Sequence, residues 1–159
     1  MRSEFNSGLW QLTFDEDFMS MRDEIVGCRI PGLSLSSHEK PLGRGILYKI
    51  PGDSATWEEM TFTFVVDDLM LNYEKLLNWM FDIYHPFTGE VKEDVMKAAT
   101  LNMLRENKKI RRTLQFSKMF PIDLSGIDLV TNEEGEHFEI ATCTMVHNGW
   151  QFEPLKVSP

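Results

Sequence analysis

Period-two alternation constrains this chain more than any other feature. From Met60 to Val66, Phe62, Phe64 and Val66 fall on one face of an extended chain, with Thr61, Thr63 and Val65 on the other. The β-branched and aromatic residues there fit a pleated, half-buried surface. Leu9 to Phe14 repeats the pattern, with Trp10, Leu12 and Phe14 against Gln11 and Thr13. Ile110 to Phe116 sets Ile110, Arg112, Leu114 and Phe116 against Arg111, Thr113 and Gln115. Ile25 to Ile30 reads as another strand, with Val26, Cys28 and Ile30 on one face, ended by Pro31-Gly32. Ile46 to Ile50 is a short strand and Phe138 to His147 the last one. Such half-buried strands belong to antiparallel sheets.

Helical spacing is firm in one place. Leu69, Tyr73, Leu76, Leu77, Met80 and Tyr84 share a helical face, Asp67 or Asp68 caps it, and Pro86 ends it. Val91 to Asn107 is ambiguous. Its composition leans to helix, whereas the alternation of Ala99, Leu101 and Met103 with Thr100 and Asn102 fits a strand. Leu33 to Gly45, rich in Ser, Gly and Pro, reads as a long loop. Pro51-Gly52-Asp53-Ser54, Asp15-Glu16-Asp17 and Glu133-Glu134-Gly135 read as turns. The sum is an α+β domain: an antiparallel barrel or sandwich of about six or seven strands with one flanking helix. The 159 residues form one domain, with loose termini at 1–8 and 153–159.

Charge excludes some functions. Twenty-five acids against 16 bases give a net charge of -9, so the chain repels a polyanion on average and lacks the general basicity of a nucleic-acid grip. The positive island is Arg105, Lys108, Lys109, Arg111 and Arg112, in a hairpin turn. It reads as a solvated tip, or as a contact for an acidic partner such as a second copy of this chain. The N-terminus has no secretory h-region, and no apolar run has the length of a membrane span.

No motif of catalysis emerges. Nucleophile elbows and phosphate loops are missing, and Gly43-Arg44-Gly45 lacks the third glycine of a dinucleotide site. His38, His85, His137 and His147 form no close pair, so neither a metal nor a cofactor is expected. Cys28 and Cys143 read as buried or half-buried free thiols. The clustered carboxylates, among them Glu58-Glu59 and Asp67-Asp68, suit turns and caps. A small hydrolase with dispersed acids would need a pocket where they converge.

The order of segments then carries a resemblance. It comprises a Cys-containing strand ending Ile30-Pro31-Gly32, a long loop, Tyr48-Lys49-Ile50-Pro51-Gly52-Asp53, and Trp57-Glu58-Glu59-Met60-Thr61-Phe62-Thr63-Phe64. An Asp and a helix with Leu77-Asn78-Trp79 follow, then Leu114-Gln115-Phe116-Ser117-Lys118-Met119-Phe120-Pro121 and a last strand with Phe138 and Trp150. From Leu9 to Trp150 the chain resembles the tail tube protein of contractile-tailed bacteriophages of the T4 type.

The resemblance implies a non-enzymatic virion protein, assembled in the host cytoplasm. Six copies would close a ring, and rings would stack into a tube inside the sheath, on a baseplate, around a tape-measure protein. DNA would pass through without specific binding. The resemblance makes Val91 to Leu104 a strand paired with Ile110 to Lys118. It maps the inter-ring contact onto the long loop, at Ser34, Ser36, Ser37, His38, Glu39, Lys40, Pro41 and Arg44. Thr100, Asn102, Thr113 and Gln115 become lumen-facing candidates, in a lumen expected to be acidic. Arg105, Lys108, Lys109 and Arg112 become intersubunit charge contacts. Related folds serve as tube initiator, tube terminator and the ring protein of type VI systems, and a non-catalytic adaptor module is a further alternative.

Overall fold

The computed structural model describes residues 8–14, 25–129, 131 and 138–155. Among them are nine strands and one helix. In chain order they are β1 (Trp10–Phe14), β2 (Ile25–Cys28), β3 (Leu33–Gly43), β4 (Ile46–Trp57), β5 (Met60–Val65), α1 (Leu71–Ile83), β6 (Lys97–Leu104), β7 (Ile110–Leu124), β8 (Ile140–Val146) and β9 (Trp150–Phe152). Every pairing is antiparallel. Seven strands make the body in the order β1-β6-β7-β8-β5-β2, with β9 also on β7. β3 and β4 form a separate two-stranded sheet.

The body is a sandwich, not a closed barrel, and β7 makes its corner. The first half of this 15-residue strand pairs β6 and β9, and its second half pairs β8. The turn between halves falls at Lys118, whose φ of 50° lies in the left-handed region. Asn148 holds the corner by donating its backbone N–H to Ser117 O and its side-chain amide to Lys118 O. Pro121 is tolerated in the second half because the register shifts there.

The alternation of the sequence becomes the two sides of these sheets. Leu12, Phe14, Phe62, Phe64, Leu101, Leu114, Phe116 and Met145 point inward and are buried. The helix adds Leu76 and Trp79 to the same core, with Trp79 edge-on to Phe14 at 6.2 Å. Trp79 donates its indole N–H to Val95 O, and Tyr73 its hydroxyl to Ser125 O. Asp67 supplies the cap: its carboxylate accepts the N–H groups of Leu71 and Asn72. Both thiols are free, and burial pushes Cys28 and Cys143 up to about 12, so neither is a thiolate at neutral pH.

Four expectations need correction. The stretch Leu33 to Gly45 is a strand and the reversal after it, not a long loop, and Pro51 to Ser54 lies inside β4 rather than in a turn. Pro51 sits at the bulge of a strand with one partner, where its missing N–H costs nothing. The compositional lean to helix in Val91–Asn107 fails: Lys97 to Leu104 is strand, because it closes a continuous ladder with β1 and β7. The second strand buries Ile25 and leaves Val26 half exposed, because a bulge between Ile25 and Gly27 reverses its facing. The turns at Asp15–Asp17 and Glu133–Gly135 lie outside the described residues, as do most of both termini.

Candidate assembly surfaces

The β3–β4 hairpin is an arm. Along its 11- and 12-residue strands nearly every side chain is exposed, including Leu35 at 72%, Leu42 at 61% and Leu47 at 58%. Its tip, Gly43-Arg44-Gly45, has three successive positive φ angles, which two glycines and one residue in the left-handed region provide. Ser36 to Pro41 lie along β3 and Arg44 at the tip, so the residues expected at a contact loop share one projecting ribbon. Glu39 faces Lys49 across it and His38 faces Ile50. A two-stranded ribbon is marginal alone in water, so its stability rests on its root.

The root is tightly held. Glu58 N–H donates to Gly32 O, and the Glu58 carboxylate accepts the Gly32 N–H at 3.0 Å and Arg29 at 3.3 Å. Gly149 N–H donates to His147 Nδ1, which leaves the Nε2 hydrogen for Glu58 O at 2.8 Å. The Trp57 ring lies 5.6 Å from His147 and 5.8 Å from Trp150, and the Trp150 indole donates to Pro31 O. Gly149 (φ 103°) approaches Trp57 closely: a Cβ there would lie 3.0 Å from its indole nitrogen.

The Gly32 N–H bond, then Arg29, lowers the Glu58 pKa from the usual carboxylate value. The charged form therefore stabilises the fold above the ordinary pKa, and that contribution disappears as pH falls through the lowered value. Glu58→Gln is expected to cost stability in urea unfolding at neutral pH and to match the parent in strong acid. The penalty is small because the group is solvent-exposed.

The outer side of the β1-β6-β7-β9 sheet is a second surface. Register sets two rows across it: Thr13, Thr100, Gln115 and Gln151, then Gln11, Asn102, Thr113 and Glu153. Thr113 Oγ1 donates to Asn102 Oδ1 at 2.9 Å. The four lumen candidates thus share one solvent-facing patch. Gln11 and Thr13 were legible beside them from the alternation of the first strand, whereas Gln151 and Glu153 had no signal in a short strand read as tail. Of these eight side chains one is charged, Glu153, and the other seven are amides and hydroxyls.

Arg105, Lys108 and Lys109 stand exposed in the β6–β7 turn, with Lys108 at φ 64°. Arg112 lines a groove of about 380 Å³ with Arg105 and Glu153. It takes the core-side parity opposite Met103, half-buried, and its guanidinium lies 4.6 Å from the Phe152 ring centroid.

Among the described residues no three His, Cys, Asp or Glu side chains come together, and a groove of about 590 Å³ beside Trp57 and Trp150 is lined by no titratable side chain. No helix among them is long and apolar enough to cross a membrane.

Neither a family model nor a curated protein matches the sequence. Solved structures do. A chain of the extracellular contractile injection system PVC, in its sheath/tube terminator in the extended state, is 14% identical with a TM-score of 0.72, over 96% of this chain and 99% of that one. A chain of the PVC sheath–tube complex is 13% identical with a TM-score of 0.69, over 96% and 93%. Hcp1 from Flavobacterium johnsoniae is 12% identical with a TM-score of 0.50, over 91% and 94%. This chain therefore shares its fold with these chains of contractile injection systems and with Hcp1.

Proposed function

We propose that this chain is a structural, non-catalytic subunit of a contractile-tail tube. Copies close into hexameric rings through β1 and β9, the outer strands of their sheet among the described residues, and rings stack through the β3–β4 arm. The observation that carries the reading is the arm: a ribbon held at its root, with exposed Leu35, Leu42 and Leu47 that a neighbour would cover. Outer strands support ring closure, because closing a sheet removes its unpaired backbone groups.

In this reading the face of Thr100, Asn102, Thr113 and Gln115 lines the lumen. Its neutrality gives a passing polymer no opposite charge to adhere to, which suits DNA and a tape-measure protein alike. The sheath surrounds the tube and a baseplate nucleates it. The particle is a phage-type virion tail, made in the host cytoplasm. A second reading, tube terminator, draws on the likeness to the PVC terminator structure.

Negative-stain electron microscopy of the purified chain, alone and seeded with tail baseplates, separates them. Hollow tubes are expected. Rings that never stack favour a terminator, and a chain that stays monomeric even when seeded overturns both readings.

A further inference from the structure

The basic turn and an apolar groove lie at opposite ends of β7. Five of the chain's 16 basic residues, and one of its 25 acids, fall between Arg105 and Arg112. Arg105, Lys108 and Lys109 at the turn are exposed, and among the described residues none has a carboxylate partner. Ile110 beside them is 59% exposed. At the other end, where β5 finishes and β8 begins, Val66, Met70, Ile127, Leu129 and Phe138 line a groove of about 550 Å³. Leu129 is 85% and Phe138 76% exposed. Its rim is acidic: Asp68 and Glu139 line it, and Asp128 lies between Ile127 and Leu129. Neither Asp68 nor Glu139 has an ion-pair partner among the described residues.

These surfaces are opposite in charge and lie beyond opposite ends of one strand. At about 3.3 Å per residue, each half of β7 is roughly 20 Å long. The turn precedes the first half and the groove follows the second. One presents cations beside an exposed isoleucine, the other an apolar floor rimmed by carboxylates. Two such surfaces on one molecule make a heterologous, head-to-tail contact, the kind that propagates into rings or filaments.

We propose that the β6–β7 turn of one copy docks into the acid-rimmed groove of the next. This rests on the self-assembly reading and names the surfaces that meet. The charges steer and register the contact, and Leu129 and Phe138 supply the desolvated floor.

A charge-swap mixture tests it. Arg105→Glu/Lys108→Glu/Lys109→Glu reverses the turn, and Asp68→Lys/Asp128→Lys/Glu139→Lys reverses the rim. All six positions are solvent-facing, and circular dichroism checks that each variant folds. Each variant alone sets like charges against one another and is expected to associate at least about tenfold more weakly by sedimentation velocity. Mixed in equal amounts, each variant's turn meets the other's groove with opposite charge, and association returns toward the parent level. Raising salt from about 0.05 M to about 0.5 M weakens the parent's association in step. A variant that assembles alone as the parent does overturns the proposal, and so does a mixture that restores nothing. If the variants form tubes indifferent to charge, the tube reading stands and this contact falls; a parent that never associates sinks both.

Discussion

A chain whose arm is cut back to its root is expected to fold normally and to form no tubes. In this variant Leu35 and Ala55, which face each other in the register, are joined by Asn-Gly in place of residues 36–54. That pair makes the tight turn that strand twist favours. The root remains: Glu58 still caps Gly32, and Trp57 still packs on His147 and Trp150. Little buried area is lost, because the removed side chains are almost all exposed. The thermal midpoint therefore stays close to the parent's.

Assembly is different. Covering Leu42 and Leu47 in a neighbour contributes about 1.5 kcal/mol or more for each side chain, repeated at every subunit of a ring. Electron microscopy of the variant is expected to show isolated rings or monomers at concentrations where the parent gives tubes. Normal tubes from the shortened chain would remove the arm from the contact.

The arm also shows where sequence legibility ended. Met60–Val65 and the helix were readable because their apolar residues repeat with the period of the surface they bury. β3 buries nothing within its own chain, so no hydrophobic period marks it, and Ser, Gly and Pro in an extended ribbon read as loop. In the proposed assembly its partners are neighbouring copies, met after folding. β6 was hidden for another reason. The charged residues before Lys97 pulled its composition toward helix, although Ala99, Leu101 and Met103 are all core. The ladder to β1 and β7 decides, and ladders are non-local.

For the candidate surfaces the alternation of β6 and β7 was enough to find Thr100, Asn102, Thr113 and Gln115 on one face. The same alternation sets Arg112 with Leu114 and Phe116, on the core side and apart from Arg111, so its half-buried place was legible too. The groove at Leu129 and Phe138 had no local signal, since it forms where three strand ends meet.

Phe152→Pro is expected to abolish ring closure while Phe152→Ala preserves it. β9 pairs β7 on one side and, among the described residues, nothing on the other. Gly149 O accepts from Ser117 and Glu153 N–H donates to Thr113, so Gly149 and Glu153 turn their backbone toward β7. By the alternation of an antiparallel ladder, Phe152 turns its N–H and C=O outward. A neighbour adding a strand there must use them. Proline removes the donor and is compatible with an edge strand in the monomer.

Both substitutions lose the ring's contact with Trp150 at 5.1 Å and with Arg112, so alanine controls for side-chain packing. The monomers should melt within a few degrees of each other. Sedimentation velocity and electron microscopy then read the backbone donor alone: rings for alanine, monomers for proline. Equal ring formation by the two would mean that this edge stays open in the assembly, and the neutral Thr100 face could then no longer be the wall of a lumen closed through β9.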